Sequence, residues 1–120
     1  MANILIVDDS EVIRMQLSDI IETTEHKVIG VASNGEMGFK LYQKLKPDLV
    51  TMDITMPVVS GLEGLKLIRE YDTNAKVIMI TAMGQKQIIL ETVKNGAKDY
   101  IIKPFQRDRV VETINKALKL

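Results

Sequence analysis

Hydrophobic positions along the chain form five short, uninterrupted runs, and a longer amphipathic stretch follows each of them. The runs occupy residues 4–7, 27–32, 49–53, 77–80 and 100–102. Continuous rather than alternating hydrophobicity is typical of strands that are covered on both faces. The amphipathic stretches have helical spacing and lie at residues 11–22, 36–45, 62–71, 85–95 and 107–118. The pattern therefore predicts five strands that alternate with five helices.

Residues that begin or end helices lie at the boundaries of this pattern. Ser10 stands at an N-cap position, and Glu11 follows it in the first turn, where a negative charge favours the helix dipole. Pro47 follows the second helix, because proline cannot donate to a continuing helical ladder. Gly96 follows the fourth and can take the left-handed conformation that ends helices. Regular alternation of strand and helix predicts an α/β fold: a doubly wound parallel sheet with right-handed crossovers and helices on both faces.

Composition narrows the classes of function. The length of 120 residues suits one domain, and we expect residues 1–120 to form it without an output domain. Sixteen basic and sixteen acidic residues give a net charge of +0, so we expect no nucleic-acid partner and no membrane-surface role. The absence of cysteine excludes disulfides, thiolate nucleophiles and cysteine-bound metals. The single histidine, His26, argues against a histidine metal site or a Ser/His/Asp triad. No apolar stretch has the length of a membrane span or the form of a signal peptide.

The remaining candidates for chemistry are carboxylates, hydroxyls and lysines at the ends of the predicted strands. Asp8 and Asp9 follow the first strand, Asp53 ends the third, Thr81 ends the fourth, and Lys103 follows the fifth. In an open parallel sheet, ligands bind beyond the carboxyl ends of the strands, where the strand order reverses. If the first, third, fourth and fifth strands are neighbours in that order, these side chains converge on one rim.

The charges of this rim indicate a ligand. Two unit charges about 4 Å apart repel by about 4 kcal/mol at an effective dielectric near 20. Three converging carboxylates must therefore raise one another's pKa or recruit a cation. Mg²⁺ prefers oxygen ligands and bridges carboxylate to phosphate oxygens. With a cation present, a carboxylate can attack phosphorus, and Lys103 can neutralise phosphoryl oxygens. The residues predict a phosphoryl-transfer site.

Five motifs, in their order and spacing, resemble those of response-regulator receiver domains. The resemblance covers nearly the whole chain and is greatest to the stand-alone receivers of chemotaxis. It implies a flavodoxin-like (βα)5 fold with strand order 2-1-3-4-5. The motifs are Val7-Asp8-Asp9-Ser10, Met52-Asp53-Ile54-Thr55-Met56-Pro57 with Gly61, Ile80-Thr81-Ala82, Gly96-Ala97 and Tyr100-Ile101-Ile102-Lys103-Pro104-Phe105.

The resemblance also implies roles for individual residues. Asp53 would accept a phosphoryl group from the phosphohistidine of a histidine kinase. Asp8, Asp9, Asp53 and the backbone carbonyl of Thr55 would hold Mg²⁺. Residues at the positions of Thr55 and Met83 are associated with the lifetime of the phosphoryl group in receivers.

Further implied features concern the switch and the output. Thr81 and Lys103 would contact the phosphoryl group, Tyr100 would swing inward as Thr81 moves, and the Lys103-Pro104 bond would be cis. The chain would be a cytoplasmic monomer that catalyses only its own phosphorylation and dephosphorylation. It would signal by protein contact to the flagellar motor switch, and a phosphatase is a further partner. A partner surface would include the fourth helix, where Ile88, Ile89, Leu90 and Val93 cannot all be hidden on one side.

Other interpretations stay open from the sequence. The chain could be a single-domain phosphorelay intermediate or an adaptor for another output. A phosphohydrolase on a similar fold would need a D-x-D arrangement, whereas Asp8 and Asp9 are adjacent. A flavodoxin-like mononucleotide carrier would need a phosphate loop where these acids repel phosphate. Taken singly, Thr81 is an ordinary β-branched strand residue and Tyr100 a packed aromatic residue.

Overall fold

The computed structural model describes residues 1–56, 59–82 and 86–119, and strands alternate with helices throughout them. The motif residue Pro57, Met83 and the predicted helix start at residue 85 lie outside the described residues. The strands are β1 (Asn3–Val7), β2 (Lys27–Ala32), β3 (Leu49–Asp53), β4 (Val77–Ala82) and β5 (Asp99–Lys103). The helices are α1 (Glu11–Glu22), α2 (Gly35–Leu45), α3 (Gly61–Tyr71), α4 (Lys86–Lys94) and α5 (Arg107–Leu118).

The strands form one parallel sheet in the order β2-β1-β3-β4-β5. The predicted fold class and strand order are therefore confirmed. The register pairs Val7 with Met52, and Asp53 with Ile80. Because all strands run in the same direction, the residues that follow β1, β3, β4 and β5 lie at one edge of the sheet.

The sheet is covered by helices on both faces, which explains the continuous apolar runs. Ile4 and Ile6 of β1 belong to the core on the side of α1 and α5. Leu5 and Val7 belong to the other core, which includes side chains of α2 and α3. Successive side chains of a strand point to opposite faces, so a doubly covered strand is mostly apolar at consecutive positions.

Side-chain caps fix the starts of three helices. Ser10 Oγ accepts the Ile13 amide at 3.3 Å and caps α1, as its position predicts. Asn34 and Ser60 cap α2 and α3 in the same way. These caps begin α2 and α3 one residue earlier than the hydrophobic pattern does. At the end of α4, Gly96 has a φ of 97°, the left-handed conformation predicted there.

Candidate functional site

Asp8 is fully buried at the end of β1 and is fixed by backbone and side-chain hydrogen bonds. Its amide donates to the Ala32 carbonyl at 2.9 Å, and its Oδ1 accepts the Ser10 amide at 2.9 Å. Arg14 Nη1 donates to the Asp8 carbonyl at 2.7 Å. The carboxylate is thus held by β2 and the start of α1, and its direction is set before any ligand arrives.

Asp53 ends β3 in the centre of the sheet, and only 6% of its surface is exposed. The next residue, Ile54, donates its amide to the Ile80 carbonyl at 3.0 Å and accepts the Gly61 amide at 2.8 Å. Gly61 packs so closely that a Cβ there would collide with the Asp53 carbonyl oxygen. The backbone around Asp53 is therefore held by β4 on one side and by the start of α3 on the other.

The acids predicted to meet at the rim do so. One carboxylate oxygen from each of Asp8, Asp9 and Asp53 lies within 4.8 Å of the other two. Asp8 and Asp53 are buried, whereas Asp9 is exposed. The group therefore has one open side through which solvent and ligands can reach it.

Lys103, at the end of β5, brings a positive charge to the same cluster. Its Nζ lies 3.3 Å from Asp53 Oδ1, to which it donates a hydrogen bond, and 3.5 Å from Asp8 Oδ2. The peptide bond between Lys103 and Pro104 is cis. β4 lies between β5 and β3, so the long Lys103 side chain has to span the distance from the end of β5 to Asp53 at the end of β3.

The electrostatic balance of the rim disfavours ionised Asp53. Burial, followed by repulsion from the Asp8 carboxylate, raises the pKa of Asp53 from 3.8 to about 6, although Lys103 opposes this change. Three carboxylates and one ammonium leave two negative charges in a group that is mostly shielded from water.

This donor set fits a hard divalent cation. Asp8 Oδ2 is buried and has no hydrogen-bond partner among the residues that the structure describes. Its contact with the Lys103 ammonium at 3.5 Å is an ion pair without a hydrogen bond, so a metal cation would further satisfy this buried oxygen. A divalent ion would also balance the two surplus charges, and an all-oxygen set is the kind that Mg²⁺ prefers. The exposed Thr55 lies on the loop that follows β3, two residues after Asp53, and its carbonyl stays a predicted ligand.

Thr81 lies near the rim, whereas Tyr100 lies three residues before Lys103 in β5, and neither joins the carboxylate cluster. Thr81 is buried at the end of β4, and its hydroxyl donates to the Ala82 carbonyl at 3.2 Å. Tyr100 is half-buried and packs against the core on the side of α2 and α3. The phosphoryl contact of Thr81 and the switching role of both residues stay predictions.

Sequence reasoning missed Arg14 as a support of the site and gave Gly61 only as a motif residue, without its packing role. Arg14 holds the Asp8 carbonyl from α1, and Gly61 closes α3 onto the residue that ends β3. An arginine one turn into the helix after the acidic pair was an available signal for the first contact. The second depends on a close approach of two backbone segments, which only the folded chain reveals.

The chain combines a parallel five-stranded sheet with an acidic cluster and a lysine beyond the strand ends. This arrangement agrees with the resemblance to signalling receiver domains. Residues 4–115 match the family model described as response regulator receiver domain, and the chain belongs to this family. Receivers are signalling domains rather than enzymes of metabolism, and the family typically holds Mg²⁺ in its acidic pocket.

The chain is similar to individual chemotaxis proteins over nearly its whole length. The chemotaxis protein CheY of Thermotoga maritima is 51% identical over 116 residues, which are 97% of each chain. CheY of Bacillus subtilis is 48% identical over 115 residues, 96% of each chain. The chain is also similar to a chain in the crystal structure of the CheX-CheY-BeF3-Mg+2 complex from Borrelia burgdorferi, with a TM-score of 0.94 and 38% identity. The match covers 98% of this chain and 90% of that one.

None of the described helices is long and apolar enough to cross a bilayer.

Proposed function

We propose that this chain is a phosphorylation-switched response regulator of chemotaxis, with Asp53 as the phosphoryl acceptor. The observation that supports this proposal is the placement of Asp53 between two further acids and the Lys103 ammonium at the sheet edge. The high identity to CheY proteins over nearly the whole chain supports the assignment to chemotaxis.

The proposed reaction uses the chain's own residues. A carboxylate oxygen of Asp53 attacks the phosphorus of a phosphohistidine on a histidine kinase. The phosphorus–nitrogen bond breaks, the imidazole leaves and takes up a proton, and an acyl phosphate remains on Asp53. Lys103 is close enough to follow the phosphoryl oxygens and neutralise their charge. Water later attacks the acyl phosphate and restores the carboxylate, so the chain acts on no external substrate.

The acids around Asp53 would hold the cofactor. Asp8, Asp9, Asp53 and the Thr55 carbonyl would bind Mg²⁺, which would supply positive charge to the phosphoryl oxygens. The hydrogen bond that the Ser10 amide donates to Asp8 Oδ1 leaves the second carboxylate oxygen available for this purpose. The pKa of Asp53, about 6, leaves its carboxylate ionised at neutral pH, as nucleophilic attack requires.

The switch would follow from the new charge. The phosphoryl group carries about −1.5 to −2 charges at neutral pH. Thr81 would exchange its weak contact with the Ala82 carbonyl for a phosphoryl oxygen. Tyr100 lies on the neighbouring strand and would turn inward into the space that this movement opens. Such a local change in charge can bias a two-state arrangement of loops and helices.

The output would be a protein contact, with the flagellar motor switch protein as the target. Side chains of α4 and β5 expose apolar surface suited to such a contact, namely Ile88, Leu90, Val93 and Ile102. A histidine kinase of the chemotaxis type would supply the phosphoryl group in the cytoplasm, and a phosphatase would accelerate its loss. The chain would act as a monomer. A single-domain phosphorelay or adaptor role would use the same site with a different target.

The phosphoryl acceptor is tested by labelling. The protein is incubated with acetyl phosphate and Mg²⁺, and intact mass spectrometry measures the added phosphoryl group. We expect labelling of the parent chain and of Asp19→Asn, which removes an exposed acid on α1. Asp53→Asn should lose it. Equal labelling of Asp53→Asn would show that another residue accepts the group.

The target is tested separately by pull-down with the flagellar switch protein, with and without beryllofluoride as a phosphoryl mimic. We expect beryllofluoride to increase binding of the parent chain and to leave Asp53→Asn unchanged. A chain that is labelled on Asp53 but binds the switch protein equally in both states would keep the receiver assignment and refute the motor as its target.

A further inference from the structure

Five basic residues gather at the opposite edge of the sheet from the acidic rim. They line two adjoining surface cavities of about 430 and 440 Å³, which share Arg69 and Gly96. Only one acidic side chain, Glu70, lines either cavity among the described residues. We call this region the basic surface; its cations are Lys66, Arg69, Lys76, Lys94 and Lys98.

The positive charge of the basic surface is only partly balanced nearby, where Asp72 interacts electrostatically with Arg69. Within residues 1–56, 59–82 and 86–119, none of its five cations has a carboxylate oxygen within 4.0 Å. The whole chain carries as many acids as bases. The two cavities are lined by five of the sixteen bases and by one of the sixteen acids. This local surplus of positive charge does not show in the net charge of the chain.

Arg69 is held in place at the junction of the two cavities. Its Nη1 donates to the Ala75 carbonyl at 3.2 Å. Its guanidinium carbon lies so close to Gly96 that a Cβ there would be only 2.8 Å away. Gly96 also has a positive φ, so both the backbone conformation and the nearby Arg69 side chain favour glycine at this position. An immobilised guanidinium loses little entropy when it binds a carboxylate.

Helix stabilisation accounts for part of this cluster. Arg69 and Lys94 lie in the last turns of α3 and α4, where a cation favours the helix dipole. Lys76 donates to the Leu118 carbonyl at the end of α5, at 3.2 Å. Neither role applies to Lys98, which precedes β5, or to Lys66, which is exposed in the middle of α3. These two lysines add charge that the helix ends do not use.

We propose that the basic surface binds an acidic segment of a partner protein. Glutamate and aspartate side chains have the charge to pair with the lysines around the cavities and the planar geometry to pair with Arg69. A long nucleic acid would run past the basic surface onto the rest of the chain, where fifteen acids outnumber eleven bases and would repel it. A flat membrane would contact the exposed lysines but not the half-buried Arg69. A short acidic peptide can follow both cavities and touch little else.

Binding is measured with a synthetic peptide of alternating Glu and Gly, titrated into isotopically labelled, unphosphorylated protein in EDTA. We expect amide shifts concentrated at Gly96, Lys98 and Arg69. The double variant of Lys66→Gln and Lys98→Gln should weaken binding about fivefold, the size that two exposed charge pairs provide. The matched control is the double variant of Lys27→Gln and Lys44→Gln, which removes two exposed lysines elsewhere and should leave the affinity unchanged.

Three results would overturn the proposal. One is that peptide shifts spread over all exposed lysines or concentrate away from the two cavities. Another is that both double variants weaken binding equally, which would show attraction without a site. The third is tighter binding of an oligothymidylate or of phosphatidylglycerol vesicles than of the peptide, which would assign the basic surface to a different class of anion. Because the protein is unphosphorylated and free of metal, none of these results depends on the role of Asp53.

Discussion

Replacing Asp53 with Asn should stabilise the metal-free protein, and by an amount that depends on pH. The folded protein raises the pKa of this carboxyl from 3.8 to about 6, chiefly by burial and then by repulsion from Asp8. The folded state therefore binds a proton at Asp53 more tightly than the unfolded chain does. Stability is lost as the pH rises from about 4 through about 6, because the carboxyl ionises at an unfavourable place.

The magnitude follows from the same values. One pKa unit corresponds to about 1.4 kcal/mol, so the change from 3.8 to about 6 corresponds to ~3 kcal/mol. Asn resembles the protonated acid in size and charge. We expect Asp53→Asn to be more stable than the parent chain by about 3 kcal/mol at pH 8 and by less than about 1 kcal/mol at pH 4.

Urea unfolding in EDTA, followed by far-ultraviolet circular dichroism, measures this difference. The chain has no tryptophan, so a backbone signal is the better probe. The slope of unfolding free energy against urea should not change, because the substitution alters no buried area. Asp19→Asn is the control and should change stability at neither pH. A gain for Asp53→Asn that is equal at pH 8 and pH 4 would refute the electrostatic argument, as would no gain at pH 8.

Three further predictions concern the same fold and site. Mg²⁺ should raise the melting temperature of the parent chain but not of Asp8→Asn, since binding to the folded state alone stabilises it; an equal rise in both would place the ion elsewhere. Gly61→Ala should cost more than about 3 kcal/mol in urea unfolding, because its Cβ collides with backbone. Gly64→Ala, whose Cβ meets the flexible end of Met52 at 3.1 Å and the Gly35 Cα only at 3.2 Å, should cost clearly less, and equal losses would contradict the packing at Gly61. Thr51→Val should add about 1 kcal/mol, because it replaces a buried hydroxyl with no partner among the described residues by an apolar group of the same shape; a destabilised variant would reveal a partner for that hydroxyl.

The fold was predictable because doubly covered strands leave a continuous apolar signal. The same topology made the acidic rim predictable, since parallel strands carry Asp8, Asp53 and Lys103 to one edge. Helix starts were less predictable, because Asn34 and Ser60 cap one residue ahead of the hydrophobic pattern.

Side-chain directions and surface clusters could not be predicted in the same way. The Thr81 hydroxyl has a choice of acceptors, and the folded backbone offers it the Ala82 carbonyl. The basic surface combines Lys66 and Arg69 of α3 with Lys76, Lys94 and Lys98. These residues come from separate parts of the sequence and share no motif. Such groupings depend on how α3 and α4 pack, and hydrophobic periodicity does not encode that detail.

The length of β4 has a consequence for assembly. This strand has six residues and so measures about 20 Å at roughly 3.3 Å per residue. Lys76 immediately precedes it, whereas Thr81 lies at its far end beside the acidic rim. A protein bound at the proposed basic surface would leave Asp53, the proposed phosphoacceptor, uncovered. The two proposals together would allow a ternary complex, in which one partner anchors the chain while another adds or removes the phosphoryl group.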